Sequence, residues 1–468
     1  MSTLDPVQVA ALDFARGKQG VGWFLEQGLG KSLTALAEFT QYEMNQNVDR
    51  MLIICPNTFK QGWVDEIEKH ELDFDVHVFQ SLKRKEASRF VSAKHTKPPV
   101  LIVNYEAVRL PRVLKGLMTW VRRGPTYLAI DESIQIKGHR SAQTKAIHAL
   151  APLCVCQRLL TGRPQTQGPH DLWGQLKAIG LFPDRNFFAF RGSFCQMGGW
   201  QAKQVVAAKN ADVLAAIMAP VVFQAKKKDW LPELPRKDYT IRDYVMSAEQ
   251  LNQYAQMEKE FILEIETGVI TVQVAIAKYA KLAQIQSGFI YDEQGCIHEL
   301  VTLEENPRLL LLLQLLEDEI AGKVCIVYRH RAMLDILVRT LSAWNPAWIK
   351  GGMKPEETSE QKTRFNEDPR CRVILLQAEA ARYGHTLLGG PGDDDRCRTM
   401  VFFENSYSAD TRSQIEDRIH RRGQTGENVL YIDLSGSPLD RRIVRALQQK
   451  DSMYKSVFGN LRVAEPVI

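Results

Sequence analysis

The chain is poor in cysteine for its length, with eight in 468 residues, and only Cys154 and Cys156 stand close together. That sparseness excludes a disulfide scaffold, and with no second pair at zinc-ligand spacing the cysteines read as structural. Long apolar runs are absent as well. The most lipid-like stretch, Leu309–Leu316, is far too short to span a bilayer. It reads as a buried core helix, with Asn306 at the N-cap, Pro307 at the first helical position and Gly322 just past its end. Neither sign of charge dominates: 60 Lys and Arg against 55 Asp and Glu leave +5, which permits a nucleic-acid partner without demanding one. The N-terminus, Met1-Ser2-Thr3-Leu4-Asp5, is acidic where a signal peptide is basic, and no apolar run follows. A cytoplasmic, reducing setting is the expectation. There is no short-period repeat and no low-complexity segment.

What is present is a large apolar content, 45% against 25% charged residues, enough for a sizeable core. Short continuous apolar runs alternate with helical patterns in two series, the mark of parallel sheets buried on both faces. The first series is Trp23–Leu25, Met51–Cys55, Val100–Val103, Tyr127–Ile130 and Arg158–Leu160; the second is Val324–Tyr328, Arg372–Leu376, Met400–Phe403 and Val429–Ile432. Between them, Lys226-Lys227-Lys228 leads into Leu231-Pro232-Glu233-Leu234-Pro235, and two helical patterns follow, Ser247–Glu266 and Thr271–Ser287, broken at Gly268. The expected organisation is an α/β lobe over 1–224, a Pro/basic linker over 225–240, a helical insertion over 241–305 and a second α/β lobe over 306–468.

Three motifs carry chemistry. Gln27-Gly28-Leu29-Gly30-Lys31-Ser32 follows a strand and opens a helix. Glycines let backbone N–H groups close round phosphate oxygens, Lys31 reaches the β/γ-phosphates and the Ser32 hydroxyl ligates Mg²⁺. Leu25 stands where the full phosphate-loop pattern has its first glycine. The apolar strand Tyr127–Ile130 ends in Asp131-Glu132, where one carboxylate can hold the water shell of Mg²⁺ and the other orient an attacking water. Together these predict an ATPase with ATP and Mg²⁺ in the first lobe. In the second lobe, Arg418 and Arg421 are spaced to share a helix face. They read either as arginine fingers for a γ-phosphate or as a basic surface.

The motif set resembles a superfamily 2 helicase-type motor, and within it the Swi/Snf-type double-stranded-DNA translocases. Gly28–Ser32 is similar to their nucleotide loop and Gln8 to their adenine-reading glutamine. Ile54-Cys55-Pro56 with Trp63 resembles a motif near the DNA backbone, and Val103–Glu106 a characteristic strand-loop. Asp131-Glu132-Ser133-Ile134 occupies the Asp-Glu box, continued by Ile136-Lys137. Leu159–Pro164 with Asp171-Leu172-Trp173 matches the coupling motif. Leu231–Pro235 matches the linker; Gln414, Asp417, Arg418, His420, Arg421, Gly423 and Gln424 match the final motif; Leu439–Ile443 resembles a closing brace helix.

The resemblance implies two RecA-like lobes with an ATP site in the cleft between them. Gln8, Gly28, Gly30, Lys31, Ser32 and Gln414 would bind nucleotide, Ser32 and Asp131 the metal, and Lys31, Glu132, Arg418 and Arg421 would act in hydrolysis. The implied partner is double-stranded DNA, held by its phosphates without regard to sequence, and the implied form is a monomer. A chain this bare looks like a viral or bacterial motor, working in the bacterial or infected-cell cytoplasm. Ser133-Ile134, Arg163 and the loose glycine motif Gln377–His385 depart from the family and bear on coupling. Asp393–Asp395 reads as a solvated turn. Two rivals stay open: a strand-separating or branch-migrating helicase on branched DNA or RNA, and a nucleotide-gated DNA-binding adaptor. Trp63, Trp120, Trp173, Trp200 and Trp230 are scattered, and burial is the expected fate of most, not stacking on bases. The basic clusters Lys83–Lys85, Arg122-Arg123 and Lys226–Lys228 are candidate phosphate contacts.

Overall fold

Each expected apolar run forms a strand, and the strands assemble into two all-parallel sheets. The structure is a computed structural model that describes residues 3–80, 84–198, 204–266, 272–292, 294–381, 386–392, 395–405, 408–437, 440–441 and 444–445. These divide into two compact units, the first ending at Pro232 and the second beginning at Glu233.

In the first unit the strands are β1 (Gly20–Leu25), β2 (Arg50–Cys55), β3 (Asp75–Val78), β4 (Pro99–Asn104), β5 (Thr126–Asp131) and β6 (Cys156–Leu160). A hairpin follows, β7 (Cys195–Gly198) with β8 (Gln204–Ala208), and β9 (Val222–Ala225) returns to the main sheet, whose order is β3-β4-β2-β5-β6-β1-β9. Neighbours such as Leu52 and Ile53 point to opposite faces, yet both are fully buried, because the sheet is covered on both sides. Register aligns Trp23 with Leu160 and Asp131 with Leu160, so β1, β5 and β6 end at one edge of the sheet. Ligands in such sheets bind at the carboxyl ends of the strands. The helices that matter there are α1 (Pro6–Ala15), α2 (Lys31–Met44) and α3 (Lys60–Lys69). A buried ion pair fixes α2: Arg158 of β6 donates to Glu38 with Nε and Nη2, each at 2.7 Å, and the Tyr127 hydroxyl donates to the same carboxylate at 2.8 Å.

The second unit opens with β10 (Arg236–Asp243), followed by the helices Ala248–Glu266 and Val272–Ser287 and the hairpin β11 (Phe289–Tyr291) with β12 (Ile297–Glu299). Next come β13 (Lys323–Tyr328), β14 (Ala347–Ile349), β15 (Val373–Gln377), β16 (Cys397–Phe402) and β17 (Asn428–Ser435), giving the order β10-β17-β16-β13-β15-β14. The segment 225–240, expected to be a linker, is corrected here. Ala225 closes β9 in the first sheet, Lys227–Trp230 is a short helix, and residues 236–240 lie in β10, which pairs with β17 over eight positions from Arg236↔Asn428 to Asp243↔Ser435. Its exposed, mixed-charge composition hid an edge strand, where one side needs no apolar partner. The core helix begins as its sequence indicates: the Asn306 side chain accepts from the N–H groups of Arg308 and Leu309, with Pro307 next, and Leu309, Leu312, Leu315 and Leu316 are buried. Residues 267–271, with Gly268, lie outside the described residues.

Candidate nucleotide site

After Leu25 the chain leaves the sheet and turns through Glu26–Gly30 into α2. Gly28 (φ 88°) and Gly30 (φ 76°) are left-handed, a region that L side chains avoid. Gly30 is the N-cap and has no side chain to offer, so α2 starts without a side-chain cap. Its first-turn N–H groups and the positive end of its dipole remain for a ligand. Leu29 is fully buried and anchors the loop, while Lys31 folds back so that Nζ donates to the carbonyl of Leu25 at 3.0 Å. Backbone donors, an ammonium and the partly exposed Ser32 hydroxyl thus lie within five consecutive residues. This donor set fits the phosphates of a nucleoside triphosphate. Gln8 is 2% exposed and belongs to the same assembly: its Oε1 accepts from the Asp5 N–H at 2.7 Å, and its Nε2 donates to the Gly30 carbonyl at 3.2 Å.

Asp131 is the last residue of β5, and Glu132 turns at once into a left-handed conformation (φ 49°, ψ 54°) that non-glycine residues adopt only when held. The Tyr105 hydroxyl is what holds it, 2.6 Å from the Asp131 carbonyl and 3.4 Å from that of Glu132. The Asp131 carboxylate is buried, which raises its pKa. The Trp63 indole N–H on Oδ2, the Lys31 charge and the Glu132 N–H on Oδ1 act in the opposite direction, both hydrogen bonds being 2.9 Å long. A carboxylate at the phosphate-loop edge supplies the hard oxygen ligand that a divalent cation takes. Among the described residues no group of three or more His, Cys, Asp or Glu is placed to hold a metal by itself.

The loop after β6 completes this edge. A Cβ on Gly162 would stand 3.3 Å from the Gln27 nitrogen, so the Thr161–Pro164 loop packs directly on the phosphate loop. The Thr161 hydroxyl lies 3.5 Å from Oε2 of Glu132. Asp171 organises the following turn, accepting on Oδ2 from the N–H of Thr166 (2.8 Å), its hydroxyl (3.1 Å) and the N–H of Gln167 (2.7 Å). Ser133, a departure from the family pattern, is fully buried and donates to Oε1 of Gln175 at 2.8 Å, tying the Asp-Glu turn to the helix Leu172–Ala178.

Sequence reasoning missed two contributors at this edge. Tyr105 carried no signal beyond membership of the strand-loop motif. Lys227, one of an ambiguous basic run, is buried: its N–H donates to Oε2 of Glu26 at 2.7 Å, and its Cε is 3.8 Å from where a Cβ on Gly28 would be. Trp63, Trp120 and Trp173 are buried, as expected of most of the tryptophans, and Arg122 and Arg123 are exposed.

In the second unit, the helical placement of Arg418 and Arg421 is corrected. The helix Ala409–Glu416 ends before them, and both lie in the turns that follow, pinned to the segment 386–387. Arg418, 3% exposed, donates from Nε to the Gln414 carbonyl at 2.9 Å, and its own carbonyl accepts from Leu387 at 3.0 Å. Arg421 donates from Nη1 to the Thr386 hydroxyl at 2.8 Å; burial lowers its pKa and the Asp417 charge opposes that. Gln414 is buried, the Gln424 amide donates to the carbonyls of Cys397 and Ile419, and the Nε2 of His420 lies 2.8 Å from the Pro235 carbonyl. The structure thus brings Gln8, Gly28, Gly30, Lys31, Ser32, Asp131 and Glu132 to one sheet edge, and Gln414, Arg418 and Arg421 to one turn of the second unit. Arg382–His385, Asp393, Asp394, Leu439, Arg442, Ile443, Trp200 and Lys83 lie outside the described residues.

A glycine loop between a parallel strand and a helix, with an Asp-Glu turn at the same sheet edge, defines a RecA-like nucleotide-binding lobe, here followed by a second parallel α/β unit. Residues 18–294 match the SNF2-related domain and residues 307–423 the helicase conserved C-terminal domain. The chain belongs to the SNF2-related family, whose members are ATP hydrolases. It is 23% identical over 91% of its length to the Schizosaccharomyces pombe chromatin structure-remodeling complex subunit snf21, covering 36% of that protein. It is 26% identical over 96% of its length to a Caenorhabditis elegans homolog of the SWI/SNF-related matrix-associated actin-dependent regulator of chromatin subfamily A-like protein 1, covering 62% of it. The mouse DNA annealing helicase and endonuclease ZRANB3 is 22% identical over 91% of the chain, which covers 38% of that protein. The chain thus spans between about a third and three fifths of the length of these relatives. Among solved structures, the Sulfolobus solfataricus SWI2/SNF2 ATPase core in complex with dsDNA is similar at 21% identity and a TM-score of 0.43, over 97% of this chain and 93% of that one.

Proposed function

We propose that the chain is a DNA-stimulated ATPase that moves along double-stranded DNA, with ATP and Mg²⁺ bound at the β1–α2 edge of the first unit. The observation that carries the nucleotide assignment is the uncapped start of α2 behind two left-handed glycines, with Lys31, Ser32 and Asp131 at the same edge. The Lys31 ammonium and the α2 N–H groups would bind phosphates. Ser32 and Asp131 would hold Mg²⁺, whose chemistry is to neutralise charge on the phosphates. Glu132 would orient the water, and Gln8 would read the base. Arg418 and Arg421, both already immobilised by hydrogen bonds within their own unit, are proposed as the guanidinium groups that stabilise transition-state charge.

Family membership supports duplex DNA as the track, and so does the burial of Trp63, Trp120 and Trp173, although Trp230 is half-buried. Strand separators commonly stack unpaired bases on aromatic rings, and Trp63, Trp120 and Trp173 are not available for that. The test is triplex displacement: the expected result is ATP-dependent release of a third strand without opening of a plain duplex. Robust unwinding of a blunt duplex would instead identify a helicase, and DNA binding with no hydrolysis an adaptor.

A further inference from the structure

The Trp63 side chain sits between two places of different character. On one side, the start of α3 and the turn before it are at the surface, with Asn57, Thr58, Gln61 and Gly62 exposed. On the other, the indole is 2% exposed and its Nε1 lies 2.9 Å from Oδ2 of Asp131, 68 residues away. A buried indole needs a partner for its single N–H; Trp23 and Trp173 find carbonyls, those of Ala11 and Arg185. Here the partner is the carboxylate of the proposed metal ligand. Hydrogen bonds to charged groups are about twice as strong as neutral ones and are directional. The second oxygen, Oδ1, is taken by the Glu132 N–H at 2.9 Å. With one donor on each oxygen and none able to shift without moving α3 or the Asp-Glu turn, the carboxylate plane is fixed before any ligand arrives.

We propose that Trp63 is a positioning residue for the metal site: its indole N–H sets the orientation in which Asp131 receives Mg²⁺, so that metal affinity depends on the seating of α3. This rests on the nucleotide site proposed above. It differs from a purely structural role, in which Asp131 merely satisfies a buried donor and the metal site is indifferent to the loss of that donor. Outer partners that orient a ligand change metal affinity by roughly 10- to 100-fold when removed.

The experiment uses the full chain and the Trp63→Phe variant, which keeps an aromatic ring and deletes the N–H. Binding of a fluorescent ADP analogue is titrated with Mg²⁺, with no turnover involved. The expected result is a Mg²⁺ requirement raised about tenfold or more, with metal-free nucleotide affinity close to wild type and a melting temperature lowered by the lost bond but still showing a folded chain. An unchanged Mg²⁺ titration in a folded variant overturns the proposal. Should Trp63→Phe not fold, the ¹⁵N–¹H resonance of the Trp63 indole in the wild-type chain decides. It should move when Mg²⁺ is added to the ADP complex and not when Mg²⁺ is added to an Asp131→Asn chain; no movement in the wild type overturns the proposal. Failure of the wild-type chain to bind nucleotide at all would instead strike at the assignment of the site.

Discussion

The amide of Gln8 donates to the carbonyl of Gly30, 22 residues along the chain, and a Cβ on Gly30 would collide with that same amide nitrogen. The expected base reader is therefore part of the wall of the phosphate loop. Gly30→Ala suffers twice, from the collision and from a left-handed φ that is unfavourable by roughly 1–2 kcal/mol for a residue with a side chain. Nucleotide affinity should fall at least tenfold in Gly30→Ala. Adding Gln8→Ala should restore part of the melting temperature lost in Gly30→Ala by removing the collision, while ATP affinity stays low because the base reader is gone. Thermal melting and equilibrium ATP binding of the two variants check this; no recovery of melting temperature in the double variant would mean the amide does not crowd the loop.

Lys31→Ala and Glu132→Gln should each abolish ATP turnover without disturbing the fold, since neither side chain builds the core. Glu132→Gln should still bind ATP, because Asp131, Lys31 and the α2 N–H groups are untouched. Arg421→Ala should reduce hydrolysis on the order of a thousandfold, with a smaller change in ATP affinity. Steady-state turnover and circular dichroism of the variants measure both. Normal hydrolysis in Arg421→Ala, accompanied by weak DNA binding, would return that residue to a basic-surface role.

Breaking the ion pair that ties α2 to β6 should be felt as stability. Arg158 is fully buried and Glu38 nearly so. Arg158→Met leaves the Glu38 carboxylate without its countercharge, which is expected to destabilise the first unit by about 3–5 kcal/mol. Because α2 carries Lys31 and Ser32 at its start, ATP affinity should fall with it. A melting temperature equal to wild type would contradict the argument.

The second unit carries an acid-sensitive contact. Burial by itself would raise the Glu404 carboxyl, but the charge and hydrogen bond of His330, the Ser287 hydroxyl and the His330 N–H outweigh it and bring the pKa from 4.5 down to about 2. Arg308, Arg329 and Asp440 line the same pocket. A depressed folded-state pKa means that the stabilisation is complete above pH 4.5 and is lost as pH falls from there towards 2, about 3 kcal/mol in all. Glu404→Gln should flatten the dependence of melting temperature on pH across that window. An identical slope in variant and wild type would exclude the contact as its source.

The strands of both sheets were legible because burial on both faces writes itself as a local apolar run, as in Met51–Cys55 and Val324–Tyr328. The phosphate loop was legible for a related reason: Gly28 and Gly30 are required by backbone conformation at two nearby positions. β10 was not, since an edge strand with exposed Arg236, Tyr239 and Asp243 has no apolar pattern to show. Nor was the end of the helix at Glu416, because no glycine or proline marks it. The contacts of Trp63 and Tyr105 with the Asp-Glu turn span 68 and 26 residues, and only the folded sheet edge brings them together.

The central claim, that this site hydrolyses ATP in response to duplex DNA, is tested most directly by ATP turnover measured side by side with single-stranded DNA, duplex DNA, branched DNA and RNA. Strong stimulation by plain duplex DNA, lost in Lys31→Ala, is the predicted result. Stimulation by single strands or RNA alone, or no nucleic-acid dependence at all, would contradict it.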